Sequence, residues 1–195
     1  MDMPRTTRAL LQAALDLVSP ARHGAGICHD AADPGSAGAC LDVAGAGGAV
    51  ALALGCSYLH DHLTACRAAA AAGVMDVHHA DRLPPGPFRF IFLDAAGLDP
   101  ALTREFAAQA AERLEPGGML VTSARHIDVA PWFGQLSMQS GVLLACQPRA
   151  GGWAPQRYTY DVTMGGQTLT LQSEPGVFSP RGLDPGTAQL LLALA

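Results

Sequence analysis

The stretch LDVAGAGGAVALAL, Leu41 to Leu54, decides the fold. It reads as a buried strand over Cys40 to Ala44, a glycine-rich turn, and a short helix over Gly48 to Leu54. A strand that feeds a helix through glycines turns its backbone N–H groups toward whatever binds at that edge. Outward from this unit the same alternation continues. Upstream, Leu10, Leu11, Ala14, Leu15 and Val18 fall at helical spacing within Thr6 to Val18, and a Gly/Pro-rich loop runs on to Ala39. Downstream, strands are predicted at Ser57 to His60, Val74 to Ala80, Phe88 to Leu93 and Met119 to Ser123. Helices at Leu63 to Ala72 and Pro100 to Leu114 separate them, the second ending at Glu115-Pro116-Gly117-Gly118. After Gly141 the texture becomes hairpin-like, with strands at Val142 to Gln147, Tyr158 to Met164 and Thr168 to Gln172. The expectation is an α/β fold, a mostly parallel sheet with an antiparallel C-terminal edge.

Composition narrows the function classes. The chain has 195 residues, 49% hydrophobic and only 15% charged, so it can bury a substantial core. It contains 36 Ala but neither Lys nor Asn, and all 12 basic residues are Arg. The lack of Asn excludes any chemistry that needs an asparagine amide. A net charge of -5 argues against a broad basic face for nucleic acid. The five cysteines, Cys28, Cys40, Cys56, Cys66 and Cys146, form no C-x-x-C pair and read as thiols of a reducing compartment. The longest apolar stretch, Val43 to Leu59, is short for a bilayer span and broken by glycines. A cytoplasmic protein without a membrane partner is expected.

Several groups could carry chemistry. Asp61 follows the second strand 19 residues after Asp42, near the spacing at which an acid meets ribose hydroxyls in nucleotide-binding folds. The G-x-G-x-x-G pattern fails, because Val50 follows Gly45 and Gly47 where a third glycine should stand. Small residues that merely let helix and strand pack closely would leave the same pattern. His60-Asp61-His62 and His78-His79 end adjacent strands and could approach a metal with Asp81, although their spacing matches no zinc motif. Polar residues along a sheet edge explain them better. Ser123 and Cys146 have no neighbouring base, and Trp132, Phe133 and Trp153 read as packing residues that could also stack on a base.

Taken together, the glycine loop, the acid after the second strand, His79-Ala80-Asp81, FRFIFLDA and LEPGGMLV resemble a class I S-adenosylmethionine-dependent methyltransferase with a Rossmann-like fold. The resemblance covers about Ala39 to Met164. It implies S-adenosyl-L-methionine as cofactor, with Asp42 near the methionine end, Asp61 on the ribose and Asp81 near the adenine. Gly45, Gly47, Gly48 and Asp94 complete the implied cofactor-binding set. The segment SEPGVFSPRGLDPGTAQLLLAL, Ser173 to Leu194, is similar to the junction of two-domain ribosomal RNA guanine-N2 methyltransferases of the "methyltransferase small" type. There an inactive N-terminal half precedes the catalytic domain.

Two departures bear on activity. The family loop reads D-x-G-x-G-x-G, and here Ala44 and Ala46 occupy the first two glycine places. The N-P-P-[YF] or D-P-P-[YF] motif after the fourth strand is replaced by Asp94-Ala95-Ala96-Gly97. The expected arrangement is a methyltransferase-like domain over residues 1-174 and a junction over 175-195 that opens a second, catalytic domain. The expected role is scaffolding or RNA positioning in ribosomal RNA processing, with no catalytic residue here and ribosomal RNA reached through the other domain. Self-association through 175-195 is the other partner expectation. A stand-alone methyltransferase for another substrate, or a nucleotide-binding or structural domain, are the alternatives.

Overall fold

In the computed structural model, residues 3–18, 39–80, 82–149, 154, 156–175 and 179–194 are described. They fall into two compact units, Met1–Trp153 and Ala154–Ala195. The first unit carries a seven-stranded sheet made of β1 (Cys40–Val43), β2 (Ser57–His60), β3 (Val77–His79), β4 (Phe88–Leu93), β5 (Leu114–Thr122), β6 (Phe133–Gln139) and β7 (Val142–Pro148). Its strand order is β3-β2-β1-β4-β5-β7-β6. The strands β1 to β5 pair in parallel, whereas β7 runs antiparallel to both β5 and β6. The order reverses between β1 and β4, and open α/β sheets bind ligands outside the carboxyl ends of their strands at such a point.

Period-two alternation divides the core between the two sheet faces. Leu41, Val43, Ile91, Leu93, Leu120, Leu143 and Ala145 face one side, where Leu102, Phe106, Ala107 and Ala110 of α4 (Pro100–Arg113) cover them. Phe92, Met119, Val121, Val142, Leu144 and Cys146 face the other, against Leu10, Ala13 and Ala14 of α1 (Arg5–Val18) and Val50 of α2 (Ala49–Leu54). A smaller cluster of Ala51, Tyr58, Ala69 and Val74 seats α3 (Leu63–Ala71) beside β2. A short helix α5 (His126–Val129) follows β5. There the buried Asp128 accepts from Arg104 and Arg125, both at 2.9 Å.

Two elements differ from the expected pattern. The Glu115–Gly118 stretch is no simple terminator, because β5 already starts at Leu114, opposite Phe88, and bulges before pairing Met119 with Phe90. Gly118 makes the bulge fit: a Cβ there would stand 3.0 Å from the Glu115 and Phe88 carbonyls. The antiparallel edge is built by β6 and β7, not by the later strands. Tyr158–Met164 (β8) and Gln167–Ser173 (β9) instead form their own two-stranded sheet in the second unit.

That hairpin closes through Gly165 and Gly166, both at positive φ (57° and 78°), as a two-residue turn of the primed type requires. It is amphipathic. Tyr160 pairs with Leu171 and Val162 with Leu169 on one face, while Asp161–Thr170 and Thr163–Thr168 occupy the other. The final helix α6 (Pro185–Leu194) is capped by Asp184, whose carboxylate accepts from the Gly186 and Thr187 amides at 3.0 Å. Leu190 and Leu192 on this helix are exposed. Among the described residues no helix is long and apolar enough to cross a membrane. The Gly/Pro-rich loop read from the sequence, together with Asp81 and Trp153, lies outside the described residues.

Candidate functional site

At the carboxyl end of β1, Asp42 is buried with 1% of its surface exposed. One carboxylate oxygen accepts from the Ala51 amide at 3.0 Å, holding the first turn of α2 against the strand. Burial pushes Asp42 up to about 6; the amides of Ala51, Val50 and Gly45 oppose the shift, and the nearby charge of Asp94 adds to it. The loop that follows is shaped by left-handed backbone. Ala44, Gly47 and Gly48 have φ of 59°, 64° and 66°. Alanine in this region costs roughly 1–2 kcal/mol, so Ala44 holds strained backbone at a place where the resembled family has glycine. Gly48 is fixed by packing as well, since a Cβ would come within 2.9 Å of Val74. At Gly45 a Cβ would reach 2.4 Å from an Asp42 oxygen. Over Gly47 there is open space, and Ala46 and Gly47 are exposed.

Beyond β2, the Asp61 side chain is mostly buried, 11% exposed, and flanked by histidines. His60 Nδ1 lies 2.7 Å from Asp61 Oδ1 and also 3.0 Å from the His62 amide nitrogen. One ring nitrogen cannot donate to the carboxylate and accept from the amide at once. With its proton on Nδ1, His60 satisfies Asp61 Oδ1; without it, that buried oxygen has no partner. Burial raises Asp61, but the His60 hydrogen bond and the charges of His60 and His62 outweigh it and hold the carboxyl below its ordinary range. His79 Nε2 contacts the Asp61 carbonyl at 2.9 Å. His78 turns elsewhere, to Asp76 at 3.1 Å. Among the described residues no group of three or more His, Cys, Asp or Glu could hold a metal ion.

The end of β4 is organised differently. Asp94 is 3% exposed, and its oxygens are taken by the protein's own donors. The Thr7 hydroxyl donates to Oδ2 at 2.6 Å, while the Ser123 hydroxyl at 2.9 Å and the Ala96 amide at 3.1 Å donate to Oδ1. Ser123 in turn accepts from the Ala95 amide at 2.8 Å, fixing the chain that replaces the N-P-P motif. Thr7 escaped the sequence reading, and Ser123 was read there only as a residue without a neighbouring base, because they sit 87 and 29 residues from Asp94. Tyr58 was likewise missed. Its hydroxyl donates to the Gly45 carbonyl at 2.9 Å, and burial together with the charges of Asp42, Cys66, Asp61 and Asp94 pushes its phenol up.

Of the expected cofactor set, Asp42, Gly45, Gly47, Gly48, Asp61 and Asp94 therefore line the carboxyl ends of the neighbouring strands β1, β2 and β4. The backbone stands open over Ala46 and Gly47, whereas the side chains of Asp42 and Asp94 are almost wholly buried.

No protein-family model matches the chain, and no curated protein matches it. Solved structures do. The T. thermophilus 16S rRNA N2 G1207 methyltransferase (RsmC), determined in complex with AdoMet and guanosine, matches with a TM-score of 0.62 at 21% identity. That match covers 80% of this chain and 48% of the other, so the chain spans about half the length of the T. thermophilus protein. Human N-acetylserotonin methyltransferase in complex with SAM matches with a TM-score of 0.46 at 15% identity, covering 73% of this chain and 52% of that one. With its seven-stranded, mostly parallel sheet and antiparallel edge, the chain has the Rossmann-like fold of the class I S-adenosylmethionine-dependent methyltransferases.

Proposed function

We propose that this chain is the non-catalytic half of a ribosomal RNA guanine-N2 methyltransferase-like protein and acts as a scaffold or RNA-positioning module. The observation that carries the reading is the state of Asp94. It stands where amine methyltransferases of this fold present an acceptor to the substrate, yet Thr7, Ser123 and Ala96 engage both its oxygens in a buried setting. Orienting an exocyclic amine for in-line attack requires an acceptor with a lone pair turned to the substrate, because holding reactants in the right geometry removes part of the barrier. No asparagine exists to replace it. Similarity to a ribosomal RNA methyltransferase of which the chain spans about half supports the two-part arrangement. The likeness of Ser173 to Leu194 to a domain junction supports it as well, with 175-195 leading into a catalytic domain that meets the RNA.

The residues present fit S-adenosylmethionine only in part. Asp61 and the open loop at Gly47 suit the ribose, whereas Asp42 and Asp94 are almost wholly buried and held by the protein's own donors. Incubating the purified chain with tritium-labelled S-adenosylmethionine and ribosomal RNA tests the reading. The expected result is no label in RNA; label incorporated at guanine would make the chain an enzyme in its own right.

A further inference from the structure

We propose that Arg104 and Arg125, gathered on the buried Asp128, form a phosphate-contact site for the backbone of RNA. The cluster joins α4 to the segment after β5, on the other side of β4 from the glycine loop. The inference deepens the reading above by giving its RNA-positioning role a surface, and it rests on that reading for its partner.

The geometry leaves charge and donors unspent. The Asp128 side chain is 4% exposed, whereas those of Arg104 and Arg125 keep 54% and 67% of their surface in solvent. Burial raises the Asp128 carboxyl, but the hydrogen bonds and charges of the two arginines outweigh it and hold it below its ordinary range. Asp128 therefore stays ionised, and the cluster carries one net positive charge. Arg104 meets the carboxylate through Nε alone, at 2.9 Å. Arg125 meets it side-on, through Nε at 2.9 Å and Nη2 at 3.5 Å. Among the described residues nothing else engages either guanidinium. Both terminal nitrogens of Arg104 and Nη1 of Arg125 thus remain for a ligand. One side-on arginine satisfies a carboxylate, so the second adds charge that the pair itself does not need. Anchoring through Nε also fixes each head in advance, which lowers the ordering cost of binding.

The surrounding sequence favours an anion. On α4 the residues three and four positions from Arg104 are Pro100, Ala101, Ala107 and Ala108, none of them acidic. Between Glu115 and Asp161 the chain carries one acid, Asp128, against Arg125, Arg149 and Arg157. A chain of net charge -5 thus keeps one stretch of positive sign, enough for a local contact though not for a broad basic face. Half-exposed heads do not enclose a small free anion, which needs a concave site. A polymer of repeated phosphates suits them, because each phosphate oxygen pair matches a guanidinium fork. Trp132 and Phe133, in the segment that follows, pack on the core. The contact therefore grips backbone and reads no base, and contacts of that kind set register and orientation.

Fluorescence anisotropy of the full chain with a labelled single-stranded RNA oligonucleotide, from about 25 to about 200 mM salt, tests this. The RNA is expected to bind at low salt, with affinity falling as salt rises. Arg104→Gln and Arg125→Gln should each weaken binding about threefold to tenfold and flatten the log–log salt slope by about 0.7, the value of one phosphate contact on a single strand. Arg125→Lys keeps the charge and should keep the slope. Arg67→Gln removes one charge from exposed ground on α3 and should change neither quantity. Nitrogen-15 NMR of the guanidinium groups in the parent chain asks the same question without a substitution: Arg104 and Arg125 should shift on adding RNA, and Arg67 should not. No binding at the lowest salt, or an affinity and slope unchanged in both glutamine variants, would overturn the proposal. An equal loss with Arg67→Gln would reduce the effect to overall charge and overturn it too. Polyglutamate bound as tightly through the same arginines would make the surface one for an acidic protein, again against the proposal. Labelled methyl appearing in RNA would sink the non-catalytic reading and leave these arginine results standing, so the two fail separately.

Discussion

Adjacent glycines in the β1–α2 loop have different jobs, and substitution separates them. Gly47 and Gly48 share a left-handed backbone, but only at Gly48 would an added Cβ also press on Val74 and Ala69. Gly47→Ala is therefore expected to cost about 1 kcal/mol, the backbone penalty alone. Gly48→Ala adds overpacking, for roughly 2–4 kcal/mol in total. Urea unfolding of the two variants measures the difference, and equal losses would deny the packing role of Gly48. Asp42 gives a pH signature. Its folded-state value of about 6 lies above the ordinary carboxylate value, so the folded protein keeps a proton that the unfolded chain releases. Its contribution is fully present below about pH 4 and is lost as pH rises through about 6. Relative to Asp42→Asn, the parent chain should lose on the order of 2 kcal/mol of stability across that window. Denaturant midpoints at pH 4 and pH 7 for both proteins check the sign.

At the scale of elements, α1 braces the site as well as covering a sheet face. Leu10, Ala13 and Ala14 bury themselves in the core, and Thr7 at the start of the helix reaches Asp94. Thr7→Val keeps the shape and removes the hydrogen bond to a buried carboxyl, which is expected to cost about 1.5–3 kcal/mol. Equilibrium unfolding checks this, together with faster amide exchange in Arg5–Val18; an unchanged stability would mean that Thr7 is a bystander. This brace also marks where reading the sequence reached its limit. The loop and its acids were legible, because Asp42 to Gly48 and the step to Asp61 are local patterns set by strand, turn and helix geometry. The partners of Asp94 were not, since they come from a distant helix and from the far end of β5. Strand β6 was missed for another reason. Phe133–Gln139 is an edge segment with only Phe133 buried, and its weak alternation gave no period to follow. The bulge in β5 looked like a stop because Pro116 and two glycines usually end an element.

For the whole molecule, the two compact units make separate statements about stability. Unit Met1–Trp153 holds the large buried clusters, whereas the exposed large apolar residues include Leu169, Leu171, Leu190 and Leu192 of the second unit. Removing residues 175–195 is expected to leave the main calorimetric melting transition in place and to reduce any concentration-dependent association. A large fall in that transition would make the segment part of the main core. The central claim concerns the end of β4, where a methyltransferase fold has its acid engaged by its own hydroxyls. The most direct measurement is carbon-13 NMR of the Asp94 carboxyl while S-adenosylmethionine and guanosine are added together. The account predicts a resonance that does not move, since Thr7, Ser123 and Ala96 keep their bonds to it. A resonance that shifts only when both ligands are present would show Asp94 meeting substrate, and would contradict the account.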